Sequence, residues 1–139
     1  MGEVRARLYL ENCGDRHLFK KGYITESEIR GEETDALVDT GAVMLMLPQD
    51  LVEVLGLESI RKAVVTYADE RKEEREIAGP VTVRIGNRQM NTDCIIGPPN
   101  SEPLVGQIIL EGMDLIVDCS EQALKVRPES PYLPLLKMK

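Results

Sequence analysis

The chain has no Trp and a single Phe among its 139 residues, and aromatics make up only 4% of it. Base-stacking platforms for single-stranded nucleic acid are therefore not expected. No run of Lys or Arg is longer than a pair, and the net charge is −7. A nucleic-acid or anionic-membrane surface needs a basic patch, so neither partner is expected. No apolar run approaches the roughly 18 residues that a membrane-spanning helix needs. There is one His; Cys13 and His17 lie four apart but lack further ligands, so a metal site is not expected. Three cysteines cannot all pair within one chain, and with their wide spacing they suggest reduced thiols in a cytoplasmic protein. The amino terminus alternates charged and apolar residues, unlike a signal peptide, and Met1 suggests an independent product.

What is present is mostly of period two. Val4, Ala6, Leu8 and Leu10 alternate with polar neighbours, as in a strand with one wet face. Residues 11–28 are turn-rich and charged and read as an insertion or long connection. Ile29–Asp39 begins polar and ends apolar, like an edge strand entering the core. Ala42–Leu47 is apolar throughout and reads as a buried strand. Pro48 opens a short helix that Gly56 closes. Val81, Val83 and Ile85 alternate ahead of Gly86-Asn87, a two-residue hairpin turn, and Met90, Thr92, Cys94 and Ile96 give the returning strand an inward face. A second short helix follows Gly106, and a last hairpin turns around Ser120–Gln122. Cys94 and Cys119 fall in apolar segments and read as buried thiols. The pattern predicts one all-β domain over residues 1–139, a compact barrel or sandwich with two short helices.

One residue does not fit a purely structural reading. Asp39 stands between Ala36-Leu37-Val38 and Ala42–Leu47, where a lone ionised carboxylate is costly to desolvate. Either it caps a turn and stays wet, the common role of Asp before Gly, or it is held at the floor of a cleft. A second element, Leu104-Val105-Gly106, places two apolar residues and a glycine ahead of a helix, with Gly106 67 residues after Asp39.

In "ALVDTGA" (Ala36–Ala42) and "LVGQIILEGMDLIVD" (Leu104–Asp118), and in their order and separation, the chain resembles the retroviral-type, or retropepsin-like, aspartic proteases and their cellular and bacterial relatives. That resemblance implies a closed acid-protease barrel acting as a homodimer, because each such chain carries one D-[ST]-G and this one contains it once. It implies an aspartic endopeptidase hydrolysing an extended peptide or protein substrate. Water would be activated between two Asp39 carboxylates that share one proton, the arrangement for which aspartic proteases are the standard example, with no metal, cofactor or covalent intermediate required. Thr40, by resemblance, bonds across the twofold axis, Gly41 brings backbone N–H groups to the carboxylates, and Leu104, Val105 and Gly106 support the site. Ala42 stands where some members have Ser; lacking that hydroxyl, the enzyme is expected to work nearer neutral pH than gastric enzymes.

The family places a flap between the two motifs, here Ala63–Ala78. Tyr67, Ala68, Asp69 and Glu70 are its candidate substrate-binding residues. The tip departs from a glycine-rich pattern, because Glu70, Arg71 and Lys72 stand where glycine would make it mobile, within eight consecutive charged residues from Asp69 to Glu76. An ordinary solvated hairpin is the alternative reading of that run. The tail, residues 128–139, carries Tyr132, Leu133, Leu135 and Leu136 among three prolines and either crosses to a partner subunit or stays unstructured. The alternatives for the whole chain are a non-proteolytic dimerisation or peptide-binding module of the same fold, and a barrel unrelated to proteases.

Overall fold

The structure is a computed structural model that describes residues 3–138. Along the chain it forms β1 (Arg5–Asn12), α1 (Cys13–Lys20), β2 (Gly31–Val38), β3 (Leu45–Pro48), α2 (Gln49–Leu55) and β4 (Glu58–Thr66). There follow β5 (Lys72–Ile85), β6 (Arg88–Gly97), β7 (Leu104–Val105), α3 (Gln107–Met113), β8 (Leu115–Asp118) and β9 (Ala123–Val126). Seven strands hydrogen-bond in the order β1-β2-β7-β3-β6-β5-β4, and β1 also pairs with β5. That extra pairing closes six strands into a mixed barrel and leaves β4 outside it as one arm of a hairpin. Closure removes the exposed sheet edges that an open sheet would present. The retropepsin-like barrel expected from the sequence is the fold observed, with a third helix, α1, added to the two anticipated.

Period-two patterning explains the core. Leu8 and Leu10 of β1 and Val81 and Val83 of β5 point inward and are fully buried. They meet Leu45 and Leu47 of β3, Cys94 of β6 and Val105 of β7, with Ile109 and Met113 of α3 closing one end. The long strand β5 changes partner part-way. Lys72–Gly79 pairs with β4, whereas Val81–Arg84 pairs with β1. Pro80 sits at the changeover, where the β5–β6 register also shifts, and a residue without an N–H is tolerated at such a break in the ladder.

Several local expectations need correcting. β2 is no edge strand, because it lies between β1 and β7. The apolar run from Ala42 is not strand until Leu45, and Val43 is 65% exposed. The reason is that the carbonyls of Ala42 and Val43 accept the N–H groups of Gln107 and Ile108, so this backbone bonds to the start of α3 instead of a strand neighbour. Cys119 lies in the turn after β8 and is exposed, since the turn removes it from the apolar face. Cys94 is buried as expected, and burial pushes its thiol up to about 12. Residues 11–28 contain α1, whose first turn is capped by the Asn12 side chain accepting from the Asp15 N–H at 2.9 Å. The same Asn12 side chain donates to the Leu55 carbonyl at the end of α2, joining the two helices.

Candidate active site

Asp39 follows the last residue of β2, where strand gives way to a tight turn. Its backbone N–H donates to the Val105 carbonyl at 2.9 Å, and its own carbonyl accepts from the Ala42 N–H at 3.1 Å. These bonds fix the turn between β7 and the following loop. One carboxylate oxygen, Oδ1, accepts the Gly41 N–H at 3.0 Å. The side chain is half-buried. It is thus aimed by backbone groups while keeping access to the space above it.

The second motif supports this turn through backbone contacts. β2 and β7 pair in parallel, Leu37 against Leu104 and Val38 against Val105. Gly106 then lies so close under the loop that a Cβ there would sit 2.6 Å from the Ala42 carbonyl oxygen and 2.9 Å from that of Met44. The glycine is required by space, not by its backbone angles. Gln107, which the sequence reading did not single out, donates its N–H to the Ala42 carbonyl at 2.8 Å and its side-chain Nε2 to the Thr40 carbonyl at 2.9 Å. Its position directly after Leu-Val-Gly was the available signal. Thr40 and Gly41 are exposed, and Ala42 is half-buried.

Above the turn lies a cleft of about 600 Å³ that includes Asp39, Met44, Met46, Ile77, Ile95 and Leu104 on its floor and walls. Its other side is lined by the end of β4 and the residues after it, Ala63 through Ala68. The β4–β5 hairpin therefore covers the acid, and its tip is Tyr67–Arg71. The tip is closed by the Tyr67 N–H to Arg71 carbonyl bond at 2.9 Å, and Glu70 adopts a left-handed φ of 66°. A charged side chain thus occupies the backbone conformation that glycine adopts most readily. Of the candidate flap residues, Tyr67 and Ala68 line the cleft, whereas Asp69 and Glu70 belong to the exposed tip.

The flap charges bond among themselves. The Arg71 guanidinium stacks over the Tyr67 ring at 4.5 Å and bonds Glu73 at 2.9 Å. Arg75 donates to the same carboxylate at 2.7 Å and to the Tyr67 hydroxyl at 3.3 Å. These partners hold the Arg75 guanidinium above its usual range, the Tyr67 bond contributing most. No cluster of three or more metal-ligating side chains occurs among the described residues.

A mixed six-stranded barrel with an acid-bearing D-T-G turn under a covering hairpin defines the retropepsin-like class of aspartic-protease folds. Residues 25–116, well over half of the chain, match the family described as "gag-polyprotein putative aspartyl protease", and the chain belongs to that family. No curated protein matches it in sequence. No helix among the described residues is long and apolar enough to cross a membrane.

Proposed function

We propose that the protein is an aspartic endopeptidase that works as a homodimer, with Asp39 as the catalytic group of each subunit. The observation that carries this reading is the half-buried Asp39 carboxylate, fixed by the Gly41 N–H on the floor of an apolar cleft beneath the β4–β5 hairpin. A single carboxylate cannot act at once as base and acid, so a second copy must bring its own Asp39 across a twofold axis. The pair then titrates as one unit. The ionised member takes a proton from water. That water attacks the scissile carbonyl, whose oxygen is hydrogen-bonded by the neutral member, and the proton is passed on to the leaving nitrogen.

The remaining roles follow from position. Exposed Thr40 is available to bond the neighbouring subunit's loop, and Gly41 and Ala42 shape the turn. Leu104, Val105 and Gly106 hold it from below. Tyr67 and Ala68 meet the substrate, an extended peptide with apolar side chains that match the cleft, while Asp69 and Glu70 border its entrance. Over residues 1–139 we treat the chain as one domain, its tail reaching toward the partner, in the cytoplasm.

Incubation with an unstructured protein tests this. We expect cleavage that a statine-containing peptide blocks and that Asp39→Asn abolishes. Asn keeps an Oδ1 for the Gly41 N–H, so the variant remains folded by circular dichroism. The flap network favours a second reading, a peptide-binding module without useful proteolysis, because a tethered tip slows exchange of peptides. A confirmed dimer that binds the statine peptide yet cuts nothing selects that reading.

A further inference from the structure

On the outer face of the barrel, opposite the core, register sets two rows of side chains next to one another. Glu11, Thr82 and Asn91 form one row across β1, β5 and β6, and Tyr9, Arg84 and Gln89 form the next. Helix α1 lies over them and contributes Cys13, Arg16, His17 and Lys20 to a shared pocket of about 370 Å³. α1 lies outside residues 25–116, so this pocket is built in part by a segment beyond the family match.

The pocket is short of free acceptors. Both Glu11 oxygens are engaged by Arg16, at 2.8 Å each, and Oε1 also accepts the Tyr9 hydroxyl at 3.2 Å. Hydrogen bonding to Arg16 holds the Glu11 carboxyl below its ordinary range, so it stays ionised and paired. Asn91 Oδ1 accepts the Thr82 hydroxyl at 2.7 Å, and Gln89 Oε1 accepts Arg84 Nε at 2.7 Å. Each amide thereby keeps its NH₂ group as a donor. Arg84 is pinned over the Tyr9 ring at 5.3 Å, which orients its remaining N–H groups. Three cations, Arg16, Lys20 and Arg84, line it; Arg16 also pairs with Glu26 at 3.4 Å, so against the two carboxylates one positive charge remains in excess, and Lys20 and Arg84 take part in no ion pair among the described residues.

We infer that the pocket between α1 and the β1–β5–β6 face is a binding site for a dianionic tetrahedral oxyanion, a phosphate or a phosphate monoester. Donors reach it from the helix through Lys20 and from the sheet through Arg84, Gln89 and Asn91, which suits an anion with several acceptor oxygens better than a planar monocarboxylate. This inference does not depend on proteolysis.

The test is a titration of the ¹⁵N-labelled full chain with sodium phosphate, at an ionic strength held constant with chloride so that simple screening is matched. Saturable shifts are expected at the Thr82, Gln89 and Asn91 amides and at the side-chain NH₂ groups of Gln89 and Asn91. Losing a charge-assisted bond in Lys20→Gln or Arg84→Gln should weaken binding roughly tenfold or more. Lys20 ends α1 and is exposed, so its variant reads the pocket without disturbing packing. Shifts that rise linearly without saturation, saturate elsewhere, or survive unchanged in the folded Lys20→Gln variant overturn the site. Saturation by succinate but not by phosphate overturns the assignment to a tetrahedral anion.

Discussion

At the scale of single residues, the puzzle of Asp39 was legible in the sequence and its solution only partly so. An acid between apolar runs, followed by Thr and Gly, pointed to a constrained carboxylate. The parallel pairing that sets Val105 beneath it needed the fold. Gly106 shows the same limit. Its φ of −105° suits any residue, and only the approach of the Ala42 and Met44 carbonyls demonstrates why a side chain is excluded. Gly106→Ala is therefore expected to destabilise the protein by about 1–3 kcal/mol through overpacking against backbone, measured as a lower urea midpoint. It should also reduce kcat, because the displaced atoms belong to the Asp39 loop.

Asp114 is a second residue whose importance the sequence hid. It ends α3 in a left-handed conformation with φ 55°, accepts the Ser130 hydroxyl and the Leu135 N–H at 2.8 Å, and forms an ion pair with Arg127, whose Nε lies 2.6 Å from its Oδ1. These partners, Ser130 foremost, lower its carboxyl from an ordinary 3.8 to about 2. The folded value is the depressed one, so the stabilisation is complete above pH 3.8 and is lost as pH falls through about 2. Urea midpoints at several pH values should show a loss of wild-type stability in that window. Asp114→Asn should be less stable at pH 7 and should lack that part of the pH dependence.

At the scale of elements, strands with a clean alternation were readable, because burial on one face writes period two directly into the sequence. β1 and the β5–β6 hairpin are of that kind. α1 escaped because it packs few apolar side chains; Asn12, Asp15, Arg16 and Arg30 hold it by polar contacts instead. Its legible trace was Asn12 as an N-cap, with Asp15 in the first turn. The boundary at Ala42–Leu45 escaped for a different reason, since loop backbone bonded to α3 looks in sequence like buried strand. The β4–β5 hairpin lines one side of the cleft and is the flap of the proposed enzyme. Tyr67→Ala removes both the Arg71 stack and the Arg75 bond. Faster hydrogen exchange across Ala63–Glu76 is expected, with a higher KM for peptide and a smaller change in kcat. Unchanged exchange would mean that backbone pairing alone holds the hairpin closed.

At the scale of the whole molecule, the exposed apolar residues bear on the proposed homodimer. Val43 is 65% exposed and Ile108 38%, both beside the Asp39 turn. Tyr132, Leu133, Leu135 and Leu136 of the tail are between 55% and 82% exposed, although Asp114 fastens the tail's backbone at Leu135. In the proposed homodimer these are the apolar side chains that a partner subunit would cover. The sequence announced the single D-T-G, from which the proposed homodimer follows, but no pattern within one chain specifies the geometry of a twofold contact.

The account rests on two Asp39 carboxylates forming one site, and its most direct test is the stoichiometry of a tight-binding statine-containing peptide in a calorimetric titration. One peptide bound per two chains, with binding lost in Asp39→Asn, is the predicted result. One peptide per chain would give every protomer a complete site of its own and contradict it.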